Sequence, residues 1–174
     1  ENRPARVARV SFTGERSYEI SVAEILAVPL WQRVRAAGAK PLGIEALPIL
    51  RAEKGYIYVG QDTDGETMPQ DLGMNGPREK RRDAFVGDRA LFTPAAKASG
   101  RKQLVGITVE SARPLPPGAH GIETARGRKR SLGYVTSSYF SPILDRPIAL
   151  GLIENGLSRL GESMDFEHLG ETFR

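Results

Sequence analysis

The sequence predicts an α+β protein in which a part of mixed strands and helices is followed by a part made of short strands. A chain of 174 residues is long enough for one ordinary domain or two small ones. Hydrophobic residues make up 40% and charged residues 26% of the chain, which is typical of globular proteins. Apolar residues follow helical spacing in the first half, whereas short apolar runs between glycines and prolines fill the second.

The first predicted element is a strand, a turn and a returning strand. Ala8, Val10 and Phe12 alternate with polar residues, and a period of two is typical of a half-buried strand. Gly14 permits a tight turn, and residues 18–22 then predict the returning strand.

Two helices and a short strand are predicted next. Apolar residues recur at helical spacing over 29–37, where Gly38 is a plausible stop. A second helix is predicted over 43–54, and Pro48 should kink it unless this proline falls in the first turn. Residues 56–59 follow as a strand candidate.

A domain boundary is predicted at the charged stretch 78–83, which divides the chain into domains 1–80 and 81–174. The polar, turn-rich residues 60–77 before it predict an ordered loop. Beyond it, short strands separated by glycine and proline indicate a small β-barrel or sandwich. The predicted strands are 103–110, 133–136 and 148–153, and the predicted separators are 114–118, the basic loop 126–130, and 141–142.

Composition excludes several classes of function. The chain has no cysteine, so disulfides, thiolate catalysis and cysteine metal sites are excluded. His120 and His168 are far apart in sequence and do not predict a zinc site. Asp62, Asp64 and Glu66 resemble the opening of a calcium loop, but the later glutamate that such a loop needs is absent. No apolar run has the length needed to span a bilayer.

The net charge of +4 makes nucleic acid one candidate partner, because phosphates are neutralised by clustered lysine and arginine. The positive charge concentrates in residues 78–82 and 126–130. No RNA- or DNA-binding motif accompanies these clusters, so solvated basic loops are the favoured interpretation and nucleic acid is not the expected partner.

A carboxylate at Glu19 is the residue that most suggests a binding role. Glu19 follows the predicted turn and stands between Tyr18 and Ile20. In a strand it would point away from both neighbours. A carboxylate accepts two parallel N–H bonds from a planar group, such as guanidinium or the 2-amino-pyrimidinone edge of a pterin. Spacing alone favours the simpler alternative, a glutamate on the solvent face of a strand.

Several segments together resemble the glycine-cleavage T-protein (aminomethyltransferase) family. The similarity covers nearly the whole chain, and the combined motifs are specific although each one alone is weak. Residues 51–55 with 60–65, and residues 136–142, are further similar to the folate domain of heterotetrameric sarcosine oxidase alpha subunits. The segments that carry the family resemblance are 9–15, 18–20, 43–47, 50–55, 63–65, 69–73, 83–87, 133–138, 141–142 and 148–151.

The resemblance implies part of a ferredoxin-like folate-binding domain followed by a small C-terminal β-barrel, truncated at both ends. Glu19 would bind the pterin of tetrahydrofolate, with Tyr18 as a weaker candidate. The family's catalytic aspartate has no counterpart here, so no catalytic residue and no metal ligand is expected in this chain. Leu47 stands where T-proteins carry an arginine for the folate tail, a departure shared with the sarcosine oxidase branch. Arg51 is expected to be a structural partner of Glu53 or of the adjoining loop.

The implied function is that of the tetrahydrofolate-binding portion of a sarcosine oxidase alpha subunit in the cytoplasm. It would help convert the one-carbon unit of oxidised sarcosine into 5,10-methylenetetrahydrofolate, with flavin and NAD bound in other parts of the enzyme. The expected partners are folate, a one-carbon donor and the other subunits, with no membrane. Three alternatives stay open: a non-catalytic assembly module in a flavin amine oxidase or dehydrogenase complex, a stand-alone aminomethyltransferase-like protein, and a basic RNA-binding protein.

Overall fold

A computed structural model describes residues 3–74 and 83–173. The chain forms two compact units, residues 1–56 and residues 57–174. The charged stretch 78–82, on which the boundary between domains 1–80 and 81–174 was predicted, lies outside the described residues. That boundary therefore stays a prediction.

An antiparallel hairpin opens the first unit, formed by β1 (Ala5–Ala8) and β2 (Glu19–Val22). The predicted strand through Val10 and Phe12 is wrong, because β1 ends at Ala8 and residues 9–18 form a connecting loop. The ladder stops where Ala8 pairs with Glu19, the first residue of β2. Alternation of apolar and polar residues does not reveal where a partner strand begins, which explains the error.

Two helices complete the first unit: α1 (Ala27–Ala36) and α2 (Ala46–Glu53). The predicted stop of the first helix is confirmed, since Gly38 follows it with a φ of 99°. Pro48 is the third residue of α2, so it occupies the first turn, where a backbone donor is not needed. A 3₁₀ turn at Glu24–Leu26 leads into α1.

The first unit buries few residues. Among its described residues, only Arg51 and Ala52 are buried. Ile25, Val28 and Trp31 follow one another at intervals of three along the 3₁₀ turn and α1, and all three side chains are more than half exposed. Burial of apolar surface is the main stabilising term in folding, so this unit draws little stability from a core of its own.

The second unit is built on a six-stranded antiparallel sheet with the order β3-β6-β5-β4-β7-β8. Its strands are β3 (Lys102–Thr108), β4 (His120–Ala125), β5 (Arg128–Ser141), β6 (Arg146–Glu154), β7 (Asp165–His168) and β8 (Glu171–Phe173). Three further 3₁₀ turns span Pro69–Leu72, Asp88–Phe92 and Gly156–Arg159.

Strands predicted near 103–110, 133–136 and 148–153 are confirmed as β3, part of β5 and β6, with shifted ends. The predicted strand at 56–59 is wrong. There the Tyr58 carbonyl accepts the N–H groups of Gln61 and Asp62, at 3.0 and 2.9 Å, which closes a turn. Strands β4, β7 and β8 lie where no strand was predicted.

The predicted basic loop 126–130 is also wrong in extent. Only Arg126 and Gly127 form the turn between β4 and β5, with φ values of 51° and 73°. Two positive φ values match the hairpin turns that fit the twist of a β-sheet. Arg128 already begins β5, so most of the basic cluster belongs to a strand.

The second unit has a core cluster of eight buried hydrophobic residues. It is formed by the buried residues Val109, Leu115, Ala119, Leu132, Val135, Ala149, Ile153 and Phe166. Seven of the nine residues of β6, which lies between β3 and β5, are buried, so side chains on both faces of this strand are covered. The α+β fold class is confirmed. Within the described parts of the chain, no helix is both long and apolar enough to cross a membrane.

Candidate functional site

Glu19 and Tyr18 lie together at the loop end of the β1–β2 hairpin. Glu19 is the first residue of β2 and pairs with Ala8 in the last rung of the ladder. Its side chain is exposed, and the side chain of Tyr18 is 56% exposed. Among the described residues, none forms a hydrogen bond or an ion pair with the Glu19 side chain. The carboxylate is therefore available to donors from a ligand.

The turn of residues 13–17 before Glu19 is held by its own side chains, within a ten-residue connection that is longer than the tight turn predicted at Gly14. The Glu15 N–H donates to Thr13 Oγ1 at 3.4 Å, and Ser17 Oγ donates to the Glu15 carbonyl at 3.1 Å. Gly14 has a φ of 83°, in the left-handed region that favours glycine. The Lys54 side chain, directly after α2, lies across Gly14, and its Nζ is 3.8 Å from Glu15 Oε1.

Arg51 is fully buried and serves a structural purpose. Its Nη1 donates to the Tyr56 carbonyl at 3.1 Å, while the Tyr56 N–H donates to the Arg51 carbonyl at 2.8 Å. The expectation that Arg51 is a partner of the adjoining loop is confirmed. A buried guanidinium that already donates to backbone is not placed to meet a ligand.

Asp62 is the buried centre of a second group of polar residues, which sequence reasoning did not single out as structural. Its carboxylate accepts the Tyr58 N–H at 2.9 Å, the Ser137 hydroxyl at 2.6 Å and the Thr136 hydroxyl. Gln61 adds a bond from Nε2 to Ser137 Oγ at 3.0 Å. These contacts attach the loop at 58–62 to β5.

Asp64 likewise uses its carboxylate within the protein. It accepts the Thr67 hydroxyl at 2.7 Å, the Glu66 N–H at 3.0 Å and the Tyr134 hydroxyl at 3.2 Å. The hydrogen bond from Thr67 is the main reason that the pKa of Asp64 lies below its ordinary value. In residues 3–74 and 83–173, no group of three or more His, Asp and Glu side chains is arranged to hold a metal ion.

An ion pair between Arg101 and Asp71 fixes the 3₁₀ turn Pro69–Leu72. Arg101 Nε donates to both carboxylate oxygens of Asp71, at 2.9 and 3.1 Å, and Asp71 is almost fully buried. The Arg101 guanidinium also donates to the carbonyls of Ala95 and Glu66, at 2.8 and 2.7 Å. Partners this distant in sequence leave no local signal, which is why sequence reasoning missed them.

Two of the four cations in the basic cluster at 126–130 are paired with acidic side chains of the same sheet. Arg130 donates to Glu123 at 3.0 Å and to Glu154 at 2.6 Å, and Lys129 pairs with Glu167. Cations that are already paired offer little free charge to a phosphate backbone. This arrangement gives no support to the RNA-binding alternative.

A cavity of about 310 Å³ opens in the second unit beside β3. Its walls include the half-buried Val105, Ile107 and Met164, with Arg146 and Glu162 among its charged residues. The residues predicted for the site, Glu19 and Tyr18, belong to the first unit. The candidate site therefore rests on the hairpin of the first unit.

Two family descriptions match the chain in succession. The "GCVT N-terminal domain" matches residues 1–77, and the "Glycine cleavage T-protein C-terminal barrel domain" matches residues 102–174. The second description agrees with the prediction of a terminal barrel.

Similar proteins include two kinds of enzyme. The sarcosine oxidase subunit alpha of Corynebacterium sp. (strain P-1) is 44% identical over 167 residues, which cover 91% of this chain and 17% of that protein. The aminomethyltransferase of Thermosynechococcus vestitus is 36% identical over 165 residues, which cover 93% of this chain and 43% of that protein. The crystal structure of glycine cleavage system aminomethyltransferase T from Bartonella henselae superposes with a TM-score of 0.80 at 26% identity, covering 97% of this chain and 47% of that one. The chain thus spans less than half the length of each.

Proposed function

Because this chain belongs to the glycine cleavage T-protein family, we propose that it supplies the tetrahydrofolate-binding portion of a sarcosine oxidase alpha subunit. In that role it helps convert the one-carbon unit of oxidised sarcosine into 5,10-methylenetetrahydrofolate. The choice of branch is supported by identities of 44% and 41% to two Corynebacterium sarcosine oxidase alpha subunits, against 36% to the Thermosynechococcus aminomethyltransferase. Leu47, at the position where T-proteins carry an arginine, favours the same branch.

The observation that carries the proposal is the exposed carboxylate of Glu19 at the start of β2, which no residue of 3–74 or 83–173 engages in a hydrogen bond or ion pair. The 2-amino group and the neighbouring ring N–H of a pterin form two parallel donors, which a carboxylate can accept together. Tyr18 precedes β2 and so lies outside its alternation, and its half-exposed ring is the weaker candidate for contact with a planar ligand. The residues present therefore fit the pterin end of tetrahydrofolate.

Binding and orientation are the tasks assigned to this chain. Tetrahydrofolate supplies the N5 and N10 nitrogens that take up the one-carbon unit. Glu19 fixes the pterin ring by two charge-assisted hydrogen bonds, so that those nitrogens are held in one orientation. Holding reactants in a productive orientation accounts for a large part of the rate advantage in such a step. No residue of this chain is assigned a proton-transfer role.

The proposal extends to the organisation and surroundings of the chain. It divides the chain into a folate-binding part, 1–80, and a barrel part, 81–174, a division supported by family matches that end at residue 77 and resume at residue 102. The partners are folate, a one-carbon donor and the other sarcosine oxidase subunits, in the cytoplasm. Flavin and NAD belong to other parts of the enzyme.

Replacement of Glu19 tests the proposal directly. Calorimetric titration of the chain with tetrahydrofolate should show that Glu19→Ala weakens binding by about 2–4 kcal/mol, the value of one or two charge-assisted hydrogen bonds. Glu24→Ala is the matched control, because Glu24 is also exposed and lies just beyond β2. Equal affinities of the Glu19 and Glu24 variants would overturn the assignment of Glu19.

The assembly-module alternative is favoured by one observation, the exposure of Ile25, Val28 and Trp31 along α1 and the turn before it. Exposed apolar patches commonly mark protein interfaces. In that case the chain should bind flavin-bearing subunits and show no heat of binding with tetrahydrofolate. A stand-alone aminomethyltransferase-like protein would instead bind tetrahydrofolate and act without those subunits.

A further inference from the structure

We infer that Gly14 and Lys54 are positioning residues for Glu19, with the Lys54 side chain holding the turn of residues 13–17 against the end of α2. The inference rests on the proposed function, since it concerns how Glu19 is presented to a ligand. It also predicts amide exchange rates in the ligand-free chain, which can be measured without tetrahydrofolate.

Glu19 depends on this turn because of its place in the hairpin. It forms the last rung of the β1–β2 ladder with Ala8, and residues 9–18 beyond that rung make no ladder pair. The ends of a two-stranded ladder open most easily, and such a hairpin is marginal by itself. The orientation of the Glu19 backbone therefore follows the loop to which it is joined.

Side-chain hydrogen bonds link the residues of the turn to one another. The Thr13 and Ser17 hydroxyls lie 3.5 Å apart, and each also bonds the backbone of Glu15. Short side-chain bonds to nearby backbone of this type stabilise turns. A contact that fixes one residue of the turn thus fixes the segment that leads into Glu19.

That contact is made at Gly14. A Cβ atom at this position would lie 2.1 Å from Lys54 Cγ and 2.7 Å from Lys54 Cδ, so the lysine stem occupies the space that any side chain would need. The φ of 83° independently favours glycine. Gly14 is required both by the bend of the turn and by the close approach of Lys54.

The hydrocarbon stem of Lys54, rather than its charge, provides the contact. The Nζ–Oε1 distance to Glu15 is 3.8 Å, and both side chains are largely exposed, at 49% and 75%. Exposed ion pairs of this kind contribute little, whereas the methylene groups of lysine readily cover a neighbouring surface. Lys54 itself is anchored, because it ends α2, whose buried Arg51 donates to the Tyr56 carbonyl.

Amide hydrogen exchange in the ligand-free chain tests the contact. Gly14→Ala and Lys54→Ala should each raise the exchange rates of the Glu15 amide, which donates to Thr13, and of the β1–β2 ladder amides by about tenfold, because the turn loses its support. Lys54→Met keeps the stem and removes the charge, so it should leave those rates within about twofold of the unsubstituted chain. If Lys54→Met behaves like Lys54→Ala, the charge provides the contact and the inference is overturned.

Gly38→Ala is the matched control for backbone strain. Gly38 has a similar φ of 99°, but a Cβ atom there would meet no atom within 4 Å. Gly38→Ala should leave the exchange of the Glu15 amide and of the β1–β2 ladder amides unchanged. The double variant Gly14→Ala/Lys54→Ala should exchange less rapidly than the two single effects combined, because removal of the stem makes room for the new methyl group. If the effects of the two single substitutions on the exchange rates simply add in the double variant, the close contact between Gly14 and Lys54 is contradicted.

Titration with tetrahydrofolate connects the contact to Glu19. Gly14→Ala and Lys54→Ala should weaken binding by about tenfold, while Lys54→Met and Gly38→Ala should bind within about twofold of the unsubstituted chain. Loss of affinity in Glu19→Ala but not in Gly14→Ala would overturn the inference and leave the proposed function standing. If Glu19→Ala binds normally, the proposed function fails, while the exchange rates still decide whether Lys54 holds the turn.

Discussion

Arg101 holds Asp71 through both carboxylate oxygens, although the two residues are 30 positions apart in sequence. Asp71 sits in the 3₁₀ turn Pro69–Leu72, and its carboxylate also accepts the Met68 N–H at 2.8 Å. The pair therefore joins that turn to the start of β3.

Removal of one member of this pair should destabilise the chain. Asp71→Ala leaves the Arg101 guanidinium, whose side chain is 19% exposed, without its main partner. Loss of one partner from a buried pair costs about 3 kcal/mol of unfolding free energy. Urea unfolding measures the change, and Asp165→Ala, an exposed aspartate on β7, is the control. Similar midpoints for the two variants would contradict the expected role of the pair.

Asp62→Asn should weaken the attachment of the loop at 58–62 to β5. The amide presents one oxygen instead of two, so its NH₂ group must face either the two hydroxyls that donate to Oδ1 or the Tyr58 N–H that donates to Oδ2. We expect a loss of about 1–3 kcal/mol in the free energy of unfolding. Asp145→Asn is the control, because Asp145 is exposed in a positive-φ position that asparagine tolerates. An equally small effect of both substitutions would count against the Asp62 contacts.

Gly133 should tolerate no side chain. A Cβ atom there would lie 1.9 Å from the Leu152 carbonyl oxygen on the neighbouring strand, and its φ is 152°. Gly133→Ala should destabilise the chain by about 1–3 kcal/mol or prevent folding, since β5 and β6 would have to separate. Gly106→Ala, in β3, meets no atom within 4 Å and should change stability by less than about 1 kcal/mol. Thermal unfolding followed by circular dichroism distinguishes them, and equal loss in both would refute the steric explanation.

Stability should fall in acid partly through Glu123. Hydrogen bonds from Arg130, and then from Arg159, lower the pKa of Glu123 below its ordinary value of 4.5. A carboxyl group with a lowered pKa in the folded state stabilises the protein above its unfolded pKa, and this contribution is lost as the pH falls through the folded pKa. The difference in unfolding free energy between the unsubstituted chain and Glu123→Gln should be constant above about pH 5.5 and shrink below 4.5. A difference in unfolding free energy that grows as the pH falls would contradict the expected role of Glu123.

Local chemistry explains what the sequence could predict of the fold. Glycine acts within a few residues, so the bend at Gly14 and the helix stop at Gly38 were readable. Pro48 conflicted with a helix predicted to begin at residue 43, and the later start of α2 at Ala46 removes that conflict. The apolar run that became β6 was also recognised, because a strand buried on both faces has a continuous hydrophobic sequence. Such features depend on residues nearby in the sequence and not on a distant strand or side chain.

Features that depend on a distant partner were not readable. The end of β1 is set by the start of β2, and β7 and β8 span only four and three residues. The roles of Asp62 and Asp71 depend on Ser137 and Arg101, which lie far along the chain. Glu19 was identified as a binding residue only through family resemblance, since its position in a strand also suits a solvated glutamate.

Because few residues of the first unit are buried, this unit should be more sensitive to proteolysis than the second. Of residues 3–56, only Arg51 and Ala52 are shielded from solvent, whereas β6 is buried along most of its length. Trypsin needs an extended, accessible segment, and cleavage concentrates where local opening costs least. A brief digest should therefore cut first at Arg9 and Arg16, which are exposed in the connecting loop 9–18, and leave a fragment centred on the six-stranded sheet intact.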